Sequence, residues 1–382
     1  MSLTANWNYP IPIKFGPGRI KELPEALRSA GITRPLLVTD SGLAKFAMIV
    51  EAVGRNEAAG LPTAVFSAVE PNPTGRNVED GVDVFRAGGH DGVVAFGGGS
   101  ALDAGKAIAF LSGQSRPLWD FEDVGDNFLR ADLAGTAPTV AVPTTAGTGS
   151  EVGRVSVITD EDTRTKRLIF HPRIQPVAVL ADPELTLGVP PAMTAATGMD
   201  ALAHCLEALC APGFHPMADG IAIEGIRLVK EHLPVAYRDG ANLEARSMMM
   251  AAATMGATAF QKGLGAIHSL AHPLGAHYNA HHGLLNGVLM PYVLEFNRGA
   301  IGPPMARLTS YLGLQGEGVD AVIAWVNGLR RELAIPDKLG ELGIDDARTG
   351  AIVAAALADP STPGNPVRLE AEPLEALFRR AI

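Results

Sequence analysis

The sequence predicts an α/β domain built on a parallel sheet, residues 1–189, followed by an all-α domain, residues 190–382. In the first half, short apolar runs alternate with segments of helical periodicity, which is typical of a parallel sheet covered by helices. Beyond Pro190, long segments rich in Ala, Leu and Met show helical periodicity and no convincing strand. Pro190 and Pro191 therefore mark the predicted domain boundary.

The elements of the first domain follow one another at short intervals. Strands are predicted at residues 35–39, 63–67, 92–96 and 139–142, with helices at 43–54, 77–87 and 101–111 between them. Two further runs, 155–159 and 168–170, flank a charged segment and predict a hairpin laid on this domain. The second domain has predicted helices at 195–209, 217–233, 241–260 and 321–333. This order favours a Rossmann-like sheet in the first domain.

Composition limits the class of protein. The 382 residues are 47% hydrophobic and 19% charged, and the net charge is -10. No Lys/Arg-rich run is present, which argues against nucleic acid or an anionic membrane as a partner. The sequence has no apolar run long enough to span a membrane and no signal-peptide pattern. Cys205 and Cys210 have a spacing unsuited to a disulfide, so we expect a reducing cytoplasm.

Five of the ten histidines lie between residues 265 and 283. His268 and His272 are four residues apart, so they share one face of a helix. Pro273 is expected to stop or kink that helix, and a loop then leads to the adjacent His281–His282 pair. A single histidine would usually be a hydrogen-bonded core residue. A cluster of this density instead favours a transition-metal site.

A carboxylate and an imidazole stand upstream of this cluster. Asp200 and His204 occupy positions i and i+4 of an otherwise apolar helical run. A buried aspartate is unfavourable unless it is paired or binds a metal. Alone, the pair would suggest a helix N-cap aspartate beside a surface histidine. Together with the downstream histidines, a shared metal is the better interpretation.

Glycine-bearing loops follow two of the predicted strands. Gly97–Ser100 reads Gly-Gly-Gly-Ser at a strand-to-helix junction, where backbone N–H groups could approach a diphosphate. Pro143–Glu151 could close over the same cofactor, or it could be a surface loop before a helix. Neither loop is a standard dinucleotide or phosphate-loop fingerprint. Asp40, directly after the first predicted strand, could bind a ribose 2′-hydroxyl and favour NAD over NADP, although aspartate is also an ordinary turn residue.

These motifs resemble the iron-containing (group III) alcohol dehydrogenase family over nearly the full chain. Val179–Glu207 is similar to the family's first signature region, and Gly265–Gly283 is similar to its second. His281 stands where the family usually has proline, yet spacing favours His282 as the metal ligand. The family's cofactor motifs match at Gly97–Lys106, Pro143–Glu151 and Pro71–Thr74.

The resemblance implies a metal-dependent, NAD(H)-linked alcohol dehydrogenase or aldehyde reductase. Its metal ligands would be Asp200, His204, His268 and His282. Fe²⁺ is the family's usual ion, and Zn²⁺ also suits three imidazoles and a carboxylate. His268 and His272 are the catalytic candidates, with His272 on the substrate side or in a proton relay. The predicted cofactor-binding residues are Asp40, Asn72, Gly97, Gly98, Gly99, Ser100, Asp103, Thr144, Thr145, Thr148 and Lys166.

In the expected mechanism, the metal acts as a Lewis acid on an alcohol oxygen and hydride passes to the nicotinamide. The substrate would be a small primary alcohol or aldehyde, with a hydroxy acid or semialdehyde as a further option. Arg154 could reach an anionic substrate group, or it could pair with Glu151 or a surface acid. One alternative is a dehydroquinate-synthase-like lyase that needs metal and NAD. Another is a non-catalytic metal-binding relative. The family also suggests a homodimer or a larger homo-oligomer.

Overall fold

The computed structural model describes residues 11–163 and 165–382. The strands are β1 Ile13–Phe15, β2 Pro35–Asp40, β3 Ala64–Val69, β4 Gly92–Gly97, β5 Thr139–Pro143, β6 Val155–Asp160, β7 Thr165–Phe170 and β8 Ala178–Ala181. The helices are α1 Leu23–Ser29, α2 Ala47–Ala58, α3 Gly75–Ala87, α4 Gly99–Leu111, α5 Pro191–Cys210, α6 Pro216–Arg238, α7 Leu243–Ala259, α8 Ala266–Tyr278, α9 His282–Phe296, α10 Gly302–Leu312, α11 Gly318–Glu332, α12 Thr349–Ala358 and α13 Ala371–Ala381. Across these described ranges, no helix has both the length and the apolar character needed to cross a bilayer.

The described chain forms two compact units. One contains residues 11–145 and 149–187 and carries the sheets, and the other contains residues 146–148 and 188–382 and carries the long helices. The division along the chain falls near Gly188, close to the two neighbouring prolines.

Six strands of the first unit form a parallel sheet in the order β1-β8-β5-β4-β2-β3. Its middle strands β4 and β5 are buried along their whole length, because a parallel sheet is covered on both faces. The predicted α/β fold with a parallel sheet is confirmed. The antiparallel hairpin of β6 and β7 is also as predicted, although β7 begins three residues earlier than expected.

The strand order creates a switch point between β2 and β4. The chain leaves β2 toward β3 on one side of the sheet and leaves β4 toward β5 on the other. In sheets of this kind, ligands bind in the crevice outside the carboxyl ends of the strands where the order reverses. Asp40 ends β2 and Gly97 ends β4, so both lie at this crevice.

In the second unit, α5 packs against α6, α7 and α9 around a continuous apolar core. The four long segments predicted as helices are helical in the structure. The shorter helices α10, α12 and α13 were not predicted, nor were the edge strand β1 and its partner β8. Their apolar runs are too short or too mixed for periodicity to identify them.

Two local expectations need correction. The helix predicted at residues 43–54 is a 3-10 turn at Leu43–Lys45 followed by α2, because Phe46 between them is extended with ψ 148°. Pro273 does not stop its helix, which was one of the two outcomes predicted for it. Helix α8 continues to Tyr278 and ends at Asn279, where φ is 52°. Residues 266–275 are all buried, and this packing offsets the hydrogen bond that proline removes.

Candidate metal centre and cofactor loops

Helix α5 places three titratable side chains on one buried face. Asp200, His204 and Glu207 occupy positions i, i+4 and i+7, which lie on one side of an α-helix. Their exposures are only 3%, 3% and 6%. Asp200 lies in the middle of the helix, so the interpretation as an N-cap is wrong. Three polar groups buried this deeply need partners from other helices.

Imidazoles from α8 and α9 meet this face at the Asp200 carboxylate. The Nε2 atoms of His204 and His268 each lie 3.9 Å from Asp200 Oδ1, and His282 Nε2 lies 3.5 Å from it. Ligand atoms of Asp200, His204 and His268 are all within 4.8 Å of one another. The structure thus brings together the four side chains predicted as ligands. His281, the adjacent histidine, is exposed at the N-cap of α9.

The donor set suits a divalent transition metal. Burial lowers the pKa of His204 to about 4, so its imidazole is neutral near pH 7. Burial also opposes charge on His268, but the Glu207 carboxylate raises the pKa of that imidazole above its usual value. Burial raises the pKa of the neighbouring Cys205 thiol to about 12, so it does not supply a thiolate. Three imidazoles and one carboxylate without sulfur fit Fe²⁺ or Zn²⁺.

An amide from α9 completes the surroundings of Asp200. Asn286 donates a hydrogen bond from Nδ2 to Asp200 Oδ1 over 2.7 Å. The same nitrogen lies 3.3 Å from His268 Nε2 and 3.2 Å from His282 Nε2. Asn286 was missed at the sequence level, although it stands four residues after His282 and so on the same helical face. Thr148, predicted to bind the cofactor, has its hydroxyl 3.5 Å from Asp200 Oδ2.

His272 lies one turn beyond His268 and has a different carboxylate partner. Its Nδ1 atom is 2.8 Å from Asp359 Oδ2, and its ring stacks on that of His282 with 5.4 Å between centroids. Burial opposes the charge of Asp359, but His272 and hydrogen bonds from Ser361 hold the pKa of that carboxyl below its usual value. No local pattern in the sequence marks Asp359, because it lies 87 residues from its partner.

The two glycine-bearing loops contact each other in the sheet-bearing unit. Gly97 has φ +150°, and a Cβ added there would lie 2.7 Å from the Ala101 Cβ, so glycine is required. The Thr144 N–H donates to the Gly97 carbonyl over 3.0 Å, and a Cβ on Gly98 would lie 3.3 Å from the Thr145 hydroxyl. Helix α4 begins at Gly99, so its N-terminal N–H groups are available to a phosphate.

The predicted cofactor-binding aspartates have different surroundings. Asp40 Oδ1 accepts the N–H groups of Gly42 and Leu43 over 2.9 and 2.8 Å, which fixes the carboxylate at the switch point. Asp103 accepts the Val157 N–H over 3.1 Å, and its other oxygen lies 3.2 Å from the buried Lys106 ammonium. These contacts tie Asp103 into the packing of α4 against β6.

The remaining predicted residues also lie in the sheet-bearing unit. Ser100 donates its hydroxyl to the Pro71 carbonyl, which joins the β4 loop to the segment after β3 that contains Asn72. Lys166 lies on β7. Arg154 precedes β6, and its guanidinium carbon lies 5.8 Å from the centre of the Phe170 ring. Burial raises the pKa of the Asp123 carboxyl and the charge of Arg154 opposes that rise, so the guanidinium also has an acid near it.

Known proteins resemble this chain along its whole length. Residues 10–183 match the family described as iron-containing alcohol dehydrogenase, and residues 194–382 match the C-terminal region of the same family. A 4-hydroxybutyrate dehydrogenase of Cupriavidus necator is 40% identical over 377 residues, which are 96% of each chain.

Two solved structures share the fold. A 1,3-propanediol oxidoreductase superposes with a TM-score of 0.94 at 35% identity, covering 99% of this chain and 100% of that one. The sulfoacetaldehyde reductase of Bifidobacterium kashiwanohense, solved with NAD⁺, superposes with a TM-score of 0.90 at 28% identity. Coverage there is 100% of this chain and 99% of the other.

The close approach of α9 to α5 generates a prediction about Gly283. A Cβ at this position would lie 2.2 Å from the Ala196 carbonyl oxygen and 3.1 Å from the Asp200 Cβ. We expect Gly283→Ala to push α9 away from α5, displace His282 and weaken metal binding at least about tenfold. The amount of metal that each variant retains after reconstitution and gel filtration tests this expectation. Gly299→Ala is the matched control, because its Cβ would meet nothing within 4 Å. Equal metal content in both variants would contradict the prediction.

Proposed function

The chain belongs to the iron-containing alcohol dehydrogenase family, and from this premise we propose that it transfers a hydride from a small primary alcohol to NAD⁺. In the reverse direction it reduces the corresponding aldehyde. The observation that carries the proposal is the convergence of Asp200, His204, His268 and His282. This convergence supplies nitrogen and oxygen ligands for a metal. The same chain carries a parallel sheet whose strand order reverses, which is where such sheets bind nucleotides.

When bound, a divalent ion supplies Lewis acidity toward a substrate oxygen, and a nicotinamide supplies the hydride acceptor or donor. The residues of the chain hold and orient these groups. Fe²⁺ is the proposed ion, held by one carboxylate and three imidazoles, and Zn²⁺ suits the same donors. The backbone at Gly98 and Gly99 holds the diphosphate at the start of α4. His272, oriented through Nδ1 by Asp359, exchanges the substrate's hydroxyl proton at Nε2.

NAD is the proposed nucleotide, in preference to NADP. The support is Asp40, whose carboxylate is fixed by two backbone N–H groups at the end of β2. A carboxylate in this place accepts ribose hydroxyls and repels a 2′-phosphate. The homodimer or larger homo-oligomer that the resemblance implies, and the reducing cytoplasm expected from Cys205 and Cys210, are also part of the proposal.

The proposed substrate class includes ω-hydroxy acids and their semialdehydes. The support is a relative named for 4-hydroxybutyrate that is 40% identical over 96% of this chain. Such a substrate has a carboxylate at the end opposite the reacting carbon, so it needs a cation. Arg154 is the candidate, since Phe170 holds its guanidinium through the ring face.

For the proposed function, the first prediction concerns the reaction itself. We expect protein reconstituted with Fe²⁺ or Zn²⁺ to form NADH steadily from primary alcohols and NAD⁺. The absorbance of NADH measures its formation. His268→Ala removes a ligand and is expected to reduce both metal content and turnover to background. His232→Ala on α6 removes a histidine outside the cluster and is the control. Undiminished turnover in metal-free protein would reject the proposal.

The second prediction concerns the choice of nucleotide. Asp40→Asn keeps an oxygen for the N–H groups of Gly42 and Leu43 but removes the charge. We expect the ratio of kcat/KM for NADP to that for NAD to rise about tenfold or more, equivalent to ~1.4 kcal/mol. Asp83→Asn on the exposed side of α3 is the control for net charge. An unchanged ratio in Asp40→Asn would contradict the role of Asp40.

The third prediction concerns Arg154. Arg154→Ala is expected to lower kcat/KM for succinate semialdehyde about ten- to hundredfold more than for butanal, the loss typical of a charged hydrogen bond. Butanal has the same chain length without the carboxylate. Arg173→Ala, which removes an exposed arginine from the same unit, should affect both aldehydes alike. Equal losses on the two substrates in Arg154→Ala would rule out this role.

A further inference from the structure

Helix α8 presents two imidazoles that are bonded in the same way to different carboxylates. His268 Nδ1 lies 2.6 Å from Glu207 Oε2, and His272 Nδ1 lies 2.8 Å from Asp359 Oδ2. All four side chains are buried or nearly so. An ionised carboxylate only accepts hydrogen bonds, so each Nδ1 carries the hydrogen. The Nε2 atom of each ring is therefore the nitrogen left for another partner.

Glu207 links His268 to the helix that carries two other ligands. It lies on the same face of α5 as Asp200 and His204. Its second oxygen, Oε1, accepts the Ile267 N–H over 2.7 Å. One carboxylate thus fixes both the backbone at the start of α8 and the ring of the next residue. The spacing of side chains on α5 thereby determines where His268 Nε2 lies relative to Asp200.

Asp359 belongs to a segment that contacts another side of α8. Moving toward the C-terminus, Asp359 contacts His272, the Thr362 hydroxyl lies 2.8 Å from the Ser269 hydroxyl, and Asn365 Oδ1 accepts the Ala266 N–H over 3.1 Å. Contacts therefore recur at every third residue of both segments. Asp359 Oδ1 is itself held by the Ser361 N–H over 2.8 Å. Within the described residues, the recorded imidazole contacts of Asp200 Oδ1 are to His204, His268 and His282, and His272 is not among them.

We propose that these two carboxylates have separate positioning roles: Glu207 aligns His268 for the metal, whereas Asp359 aligns His272 for the substrate. The proposal rests on the proposed function, since it assigns one imidazole to the metal and the other to the substrate. Glu207 therefore controls metal affinity, and Asp359 controls turnover by the loaded enzyme. Outer carboxylates that orient ligating histidines are known to tune metal affinity in this manner.

Amide substitutions test each carboxylate at constant shape. The Ile267 N–H and the His268 N–H bond different oxygens of Glu207, and in Glu207→Gln one of these oxygens becomes an NH2 group that cannot accept. In Asp359→Asn, the same limit applies to the Ser361 N–H and the His272 N–H. Each variant therefore leaves one buried donor without its acceptor, and each is the matched control for the other.

The measurements are the dissociation constants of Zn²⁺ and Co²⁺, from competition with a chromophoric chelator, and kcat and KM at saturating ion. We expect Glu207→Gln to bind either ion about 10- to 100-fold more weakly and to change the visible absorption of bound Co²⁺. Excess ion should restore its turnover. Asp359→Asn should bind both ions within about threefold of the parent protein and lose kcat that excess ion does not restore.

Equal changes of metal affinity in the two variants, or no change in Glu207→Gln, would overturn the proposal. Asp182→Asn removes another fully buried carboxylate, one that accepts backbone N–H groups in the sheet-bearing unit, and should leave metal affinity unchanged. If Glu207→Gln does not fold, Glu207→Asp keeps the charge but loses reach and should show the same weakening. Failure of the unsubstituted protein to bind either ion would instead reject the metal site itself.

Discussion

The buried carboxylate of Asp200 is the constraint around which the helical unit is arranged. An isolated charge in the middle of an apolar helix is unfavourable by several kcal/mol unless polar groups surround it. Here the surroundings come from α5 itself, α8 and α9, through three imidazoles and the Asn286 amide. Helices α8 and α9 must therefore both approach α5 at the position of Asp200. Gly283 allows α9 to do so, because any side chain there would overlap the Ala196 carbonyl.

The parts of this arrangement that the sequence predicts are those encoded by local spacing. Asp200 and His204 are one helical turn apart, and so are His268 and His272, so each pair could be placed on one face before any tertiary structure was known. The buried strands β2, β4 and β5 were predictable for a similar reason, since each is a short apolar run between turn signals. Asp40 could be placed at the end of β2 because it directly follows the predicted strand.

The parts that could not be predicted depend on contacts between distant segments. Asp359 reaches His272 across 87 residues, and Asn365 reaches Ala266 across 99 residues. Neither residue belongs to a pattern that distinguishes it from an ordinary turn or cap residue. Pro273 does not stop its helix, because burial of the flanking residues outweighs local propensity. Asn286 is the exception, because its spacing from His282 was readable and was overlooked.

Charge balance gives an independent reason why this cluster suits a cation. Within the described chain, Asp200, Glu207 and Asp359 form their recorded ion pairs with histidines alone. Burial lowers the pKa of the His204 imidazole to about 4, whereas the Glu207 carboxylate raises the pKa of His268. In contrast, buried Asp103 in the sheet-bearing unit has the Lys106 ammonium beside it. A divalent ion at the site would supply positive charge beside the Asp200 carboxylate without adding a side chain to the core.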